Sequence, residues 1–358
     1  VKSKVFFQLV DTLAMGGTER MSVNMAAAMH EKGWESHLIV SRKGGGMEAH
    51  LADGVQVHYL NKKSFADLIA FFRLVALQAK YRPTVFHAHS TSIYWAVLLK
   101  LLAGRFLLVW HDHFGLSDQL EQYPRKDMVI LSKWIDRIVT VNDKLLQYWQ
   151  RLLPYRKSTI QKIGNFPFLN LAPEARFPRF TFLHLANFRP QKDQLNLVRA
   201  ASLLHQKGLD FEILMVGEFV EEVWVEKVKA EVEHLGLGKN ITILGPSSEV
   251  SRLLAKCHAG VLSSESEGLP VALLEYGLAA LPVVCTEVGD CAKVISDPSM
   301  GLLVPSGDPK TLADALEKLV SSPSEELQIM GELLRKKVET EYGKEAFLSS
   351  YLNLLSAK

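Results

Sequence analysis

Cysteine is scarce in this chain: three in 358 residues, Cys257, Cys285 and Cys291, all in the second half and none in a Cys-x-x-Cys pair. An odd number without that spacing argues against a disulfide framework and against a zinc site, and makes a reducing cytoplasm the expected setting. Net charge is nearly absent as well. Forty-one Lys and Arg against 39 Asp and Glu leave +2, so the chain is not a general polyanion binder and nucleic acid is not an expected partner. Long apolar runs are missing too. The most membrane-like stretch, 93–110, is interrupted by Lys100 and Arg105 and split by Gly104, which predicts a buried helix followed by a strand and leaves only peripheral membrane contact. The opening VKSKVFFQLV runs into a glycine-rich turn with no small-residue cleavage site. It reads as a first β-strand, not as a signal peptide.

What is present, 48% hydrophobic and 22% charged residues, excludes a disordered or fibrous chain. A length of 358 residues most naturally divides into two domains. Their charges differ: residues 1–165 hold 22 basic and 13 acidic side chains, a net of +9, and the remainder holds 19 and 26, a net of −7. A basic half without long Lys/Arg runs fits an anionic surface such as lipid, or a phosphorylated acceptor.

Short apolar runs alternate with helical stretches: 5–10, 36–40, 85–88, 106–110 and 138–141 in the first half, then 181–185, 211–216, 241–244, 259–262 and 282–285 in the second. This is the pattern of an α/β protein with two doubly wound, Rossmann-like parallel-sheet domains. A proline-rich stretch, 167–178, separates the series. The expected organisation is a first domain over 1–168, a linker over 169–180, a second domain over 181–340, and a C-terminal helix over 341–358 packing outside its own domain. Ligands are then expected in a cleft where the carboxyl ends of the strands face one another.

Two motifs lie at such strand ends. Gly16-Gly17-Thr18-Glu19-Arg20 follows the first strand and opens a helix. The glycines permit close backbone approach, Thr18 is placed to cap, and the helix start suits an anion. Neither a Walker loop nor a dinucleotide fingerprint is present. The second motif runs from Ser263 to Glu275 between a strand and a helix, with Pro270 at the expected first helical position. The backbone around Leu269, Val271 and Ala272 forms a helix start suited to phosphate, yet Glu267 and Glu275 flank it. Two carboxylates beside an anion site make sense if each grips hydroxyl groups of a larger ligand, as a nucleotide sugar would supply.

Taken in order, GGTER, HAHS (87–90), WHDH (110–113), RPQKD (189–193), EGLPVALLE (267–275) and LPVVCTEVGD (281–290) span nearly the whole chain. Together they resemble the retaining glycosyltransferases of family 4 with the GT-B fold, whose mark is Glu-x7-Glu, here Glu267 and Glu275. The resemblance implies a donor-binding second domain and an acceptor-binding first domain. It implies that Glu275 binds ribose hydroxyls and Glu267 the donor sugar, and that Gly268, Leu269, Val271 and Ala272 orient sugar and phosphate through backbone N–H groups. Lys192 would neutralise the departing diphosphate, with Arg189 standing in for an arginine that is replaced here by Asn187. His111 would face the donor sugar from the first domain, and Gly16 and Gly17 would close on the diphosphate. His87, His89 and His113 are weaker candidates. The histidine cluster invites a metal, but its members fall on separate strand ends and no Asp-x-Asp is present, so no metal and no cofactor are expected.

The function expected from this resemblance is metal-independent, retaining transfer of a hexose-type sugar from a UDP- or GDP-sugar to an envelope glycan, such as lipopolysaccharide, capsule or another lipid-linked saccharide. The enzyme would be cytoplasmic, peripheral at the cytoplasmic face of the inner membrane. Two other readings share the fold: a non-catalytic nucleotide-sugar-binding subunit, and a nucleotide-sugar epimerase or hydrolase.

Overall fold

A computed structural model describes residues 4–14, 16–114, 120, 125–167, 169 and 171–357. The chain forms two compact units, one of residues 1–166 with 344–358 and the other of residues 167–343. Positions 168 and 170, within the proline-rich stretch, lie outside the described residues.

The first unit contains β1 (Val5–Val10), α1 (Gly17–Glu31), β2 (Glu35–Val40), β3 (Gln56–Tyr59), α2 (Leu68–Tyr81), β4 (Val85–His89), α3 (Ile93–Ala103), β5 (Leu107–Asp112), α4 (Lys126–Leu131), β6 (Arg137–Thr140), α5 (Asp143–Leu152) and β7 (Ile160–Lys162). The sheet order is β3-β2-β1-β4-β5-β6-β7, with every pair parallel. The order reverses direction between β1 and β4, and the carboxyl ends of those strands form the switch point where such sheets take ligands. β1 is buried along its whole length, as a central strand covered on both faces must be. Phe7, Phe86, Trp110 and Trp149 fill one side among α2, α3 and α5. Phe6 and Met25 fill the other, with Phe347, Leu348 and Tyr351. Those last three come from the C-terminal helix α13, Lys344–Ser356.

The second unit contains β8 (Phe180–Leu185), α6 (Gln194–Gln206), β9 (Phe211–Val216), α7 (Glu222–His234), β10 (Ile241–Gly245), α8 (Val250–Lys256), β11 (Ala259–Leu262), α9 (Val271–Leu278), β12 (Val283–Thr286), α10 (Cys291–Val294), β13 (Leu302–Val304), α11 (Pro309–Ser321) and α12 (Ser324–Glu341). Its sheet order is β10-β9-β8-β11-β12-β13, again parallel throughout. The switch point falls between β8 and β11. A close approach builds it: a Cβ on Gly260 would stand 2.4 Å from the Tyr276 ring, and the Tyr276 hydroxyl accepts from the Leu185 N–H at 2.7 Å, tying α9 to the end of β8.

Among the described residues, no helix is long and apolar enough to cross a membrane.

Candidate functional site

In the second unit, the chain leaving β8 makes a short 3-10 turn at Pro190–Lys192 and starts α6 at Gln194. Asp193 takes a left-handed backbone, φ 41°, while its carboxylate accepts from the Asn196 N–H at 3.1 Å. A non-glycine residue in that region carries strain of about 1–3 kcal/mol, and here it aims the preceding lysine. Lys192 Nζ meets Glu267 Oε1 at 2.6 Å, and the same oxygen accepts from Ser264 Oγ at 2.7 Å. The neighbouring backbone is stitched together: the Glu265 N–H donates to Gln191 O at 2.9 Å, and Ser263 Oγ donates to Lys192 O at 3.0 Å. The loops after β8 and β11 therefore hold each other rigidly, with one ammonium and one carboxylate between them.

α9 begins just beyond. Pro270 is not its first helical residue, as the sequence predicts, but the residue before it: ψ 119° keeps Pro270 extended, no side chain caps the helix, and Val271 opens it. Val271 and Ala272 thus present the first-turn N–H groups, the half-charge an anion seeks. Gly268 and Leu269 lead into this turn. Glu275 lies on the same helix and is 4% exposed. A third loop braces the arrangement: the Asp290 N–H donates to Gly268 O at 2.8 Å, and Gly289, at φ 57°, leaves no room for a Cβ, which would stand 2.3 Å from Glu267 O.

Arg189 is exposed beside this turn. Asn187 has work of its own: its Oδ1 accepts from the Glu218 N–H at 3.0 Å, and its backbone oxygen accepts from Gln194 Nε2 at 3.1 Å. It braces the β8 and β9 loops against each other. Beneath Lys192 lies a residue the sequence did not single out, His184. Burial, with help from the Lys192 charge, pushes its imidazole down to about 3, and its Nδ1 has no hydrogen-bond partner.

In the first unit, Gly16 occupies the N-cap of α1 with an extended backbone and no side-chain cap. The helix begins at Gly17, so Thr18 sits inside the first turn rather than capping it. The first unit also carries a set of four histidines. β5 runs past Trp110 to Asp112, because His111 and Asp112 pair with Val139 and Thr140 of β6. His111 is thereby within the strand, not beyond its end. β4 likewise extends to His89, which stands in register with His111. Separate strands do not keep these side chains apart, contrary to the sequence expectation, because β4 and β5 are neighbours. His87 Nε2 and His111 Nδ1 are 3.3 Å apart, His89 Nδ1 and His113 Nε2 are 3.0 Å apart, and His87 Nδ1 meets the Tyr351 hydroxyl at 2.8 Å. Gln8 Nε2 donates to Ser22 O at 3.1 Å, which turns its Oε1 toward His89 Nε2 at 2.8 Å. His89 therefore carries its proton on Nε2 and accepts at Nδ1.

One nitrogen of His87, His89 and His111 each converge to within 4.8 Å of one another, a set able to hold a metal ion. The histidines are therefore not kept apart by lying on different strands. Burial pushes His87, His89 and His111 well below the ordinary 6.5, so all three are neutral imidazoles at physiological pH. His111 Nε2 is buried with no partner. Asp112, also overlooked by the sequence reading, binds Arg125 Nη1 at 2.6 Å and Trp149 Nε1 at 2.8 Å. Its partner Arg125 stacks on the Trp110 ring at 5.0 Å.

Each unit thus carries buried or braced polar groups at its own switch point. Comparison with known proteins gives the setting. Residues 173–337 match the family described as glycosyl transferases group 1, and residues 15–166 match Glycosyltransferase Family 4. An uncharacterized glycosyltransferase of Haemophilus influenzae is 21% identical over 98% of this chain and 99% of its own. The capsular polysaccharide biosynthesis glycosyltransferase CapH of Staphylococcus aureus is 24% identical over 86% and 88%. The crystal structure of Anabaena HepE in complex with UDP and glucose superposes with a TM-score of 0.78 at 17% identity, covering 99% of both chains. With two successive matches that together span almost the whole sequence, and a parallel-sheet unit under each, the chain is a glycosyltransferase built of a Family 4 domain followed by a group 1 domain.

Proposed function

We propose that this glycosyltransferase is a retaining enzyme that moves a hexose-type sugar from a UDP- or GDP-sugar to a hydroxyl of a cell-envelope saccharide, without needing a metal ion. Relatives named for capsular polysaccharide and lipopolysaccharide core biosynthesis, and a structural neighbour holding UDP-glucose, support that substrate range. The acceptor is lipid-linked, met by a cytoplasmic enzyme peripheral to an anionic membrane surface.

The observation that carries the reading is the Lys192–Glu267 pair, 2.6 Å apart, one loop before the uncapped start of α9, with Glu275 buried on that same helix. In the proposed roles Glu275 takes the ribose hydroxyls. The first-turn N–H groups of Val271 and Ala272 and the ammonium of Lys192 take the diphosphate, with Arg189 a further cation. Gly268 and Leu269 pass their backbone along the sugar. Glu267 orients a sugar hydroxyl with one oxygen while the other holds Lys192. His111 offers its unpartnered Nε2 to a sugar hydroxyl.

The acceptor hydroxyl attacks the anomeric carbon on the face from which the diphosphate leaves. The bond from that carbon to the diphosphate oxygen breaks as the new glycosidic bond forms, and the hydroxyl proton passes to a donor phosphate oxygen. Charge collects on the leaving group, and in this reading Lys192 and the helix dipole stabilise it.

The test is transfer from labelled UDP- and GDP-sugars to extracted envelope glycan in EDTA, with the anomeric configuration of the product read by NMR. A product with the donor's configuration is expected. An inverted product would overturn the retaining assignment, and sugar release without a glycosylated product would point to a hydrolase.

A further inference from the structure

Residues 60–105 carry seven Lys or Arg and a single acid, Asp67. Among the described residues they also form the most apolar surface of the first unit. α2 buries Ala70, Phe71 and Leu74 and turns Leu68, Ile69 and Phe72 outward, each 66–69% exposed. α3 buries Trp95, Ala96, Val97 and Leu99 and turns Leu98, Leu101 and Leu102 outward at the i, i+3, i+4 spacing of one helical stripe. A helix apolar on every face is ordinarily covered on every face. The two outward stripes form one surface, because the helices touch and the Trp95 indole donates to Phe65 O at 3.0 Å, holding the exposed Phe65 at their joint. Exposed apolar side chains scattered singly are normal, whereas a contiguous set rimmed by charge marks an interaction surface.

The charge around this surface is mostly positive, and the acids near it, Asp127 and Asp136, are engaged by Tyr94 and by Lys100 of α3. Exposed Lys63, Arg73, Lys80 and Arg105 lie beside it, and Asp67 spends its carboxylate on the N–H groups of Lys63 and Ala70. We infer that the outward stripes of α2 and α3 insert shallowly into an anionic lipid surface, with these four cations at headgroup level. Charge decides against a second copy of the chain, since a two-fold contact would set one basic rim against another. A lipid bilayer offers acyl chains to the leucines and phosphates to the cations in one layered partner. The inference gives the membrane contact of the proposed function a place on the chain and rests on that reading only for its purpose; its test does not involve sugar transfer.

The test is co-sedimentation of the full chain with phosphatidylcholine vesicles, with and without roughly one-third phosphatidylglycerol, at low and high salt. Binding is expected on the anionic vesicles and about tenfold weaker on neutral ones or at high salt. The triple variant Leu68→Gln/Phe72→Gln/Leu102→Gln loses it with an unchanged melting temperature, and Lys63→Gln/Arg105→Gln weakens it and flattens the salt dependence. No binding to anionic vesicles, or full binding by the triple variant, overturns the inference. So does a wild-type dimer in sedimentation velocity that the triple variant converts to monomer without any vesicle effect, which would make the surface a self-interface. A chain that binds vesicles but transfers no sugar leaves this inference standing and sinks the proposed function.

Discussion

Lys192 and Glu267, 75 positions apart in sequence, share a proton-bridged contact of 2.6 Å, and Ser264 Oγ locks the same carboxylate oxygen at 2.7 Å. The pair keeps an ammonium in place at the start of α9 before any ligand arrives.

Lys192→Ala removes the cation proposed to meet the leaving diphosphate, and kcat is expected to fall about 100- to 1000-fold, the size of losing one preorganised charge donor. Glu267→Gln keeps the shape and frees Lys192, so its loss is smaller. The double variant is expected to cost less than the two single losses added, because the residues act as a unit. Steady-state kinetics on the four proteins check this, and strict additivity would show that the pair is not one device.

Gly289 sits at φ 57°, where a Cβ would lie 2.3 Å from Glu267 O and 2.4 Å from Gly268 O. Gly289→Ala is expected to cost about 1–3 kcal/mol of stability through backbone strain and the forced retreat of the 267–268 backbone. Donor affinity drops with it, since that backbone carries Glu267. Urea unfolding and calorimetric titration with nucleoside diphosphate read the two effects, and a variant as stable as the parent would show that the loop has slack.

Stability is expected to fall as pH drops below 6.5. His184 stays neutral in the folded chain, burial holding it down to about 3, whereas the unfolded chain protonates it near the ordinary value. The unfolded state therefore binds more protons between those limits, so the stabilisation is complete above 6.5 and is lost at about 1.4 kcal/mol per pH unit below it. The depressed His87, His89 and His111 act in the same direction. Urea midpoints at about pH 7.5 and pH 5.5 test this, and His184→Asn, which cannot titrate, should flatten the slope. An unchanged slope would mean that His184 protonates in place.

The strands that are mostly apolar, such as Val5–Val10 and Phe211–Val216, could be read from sequence because a central parallel strand is largely buried on both faces. β3 (QVHY), β7 (IQK) and β13 (LLV) escaped. They are short edge strands, and two of them carry polar residues. The sequence likewise placed His87 and His89 apart from His111, since register between β4 and β5 is a tertiary fact; the pairing of His89 with His111 has no signature in either segment. Asp112 and His184 have partners 13 or more positions away and no motif of their own. In contrast, the run from Glu267 to Glu275 was legible as a loop leading into a helix because the two are contiguous, so residue type and spacing alone place a carboxylate on either side of the start of α9.

The most direct test of the account is calorimetric titration of UDP and GDP into the wild-type chain and Glu275→Ala, in EDTA. One of the two nucleotides is expected to bind the wild type without metal and to lose all measurable affinity for the variant, whose melting temperature serves as the folding control. Equal binding by a folded variant, or no binding of either nucleotide by the wild type, would contradict the donor site on α9.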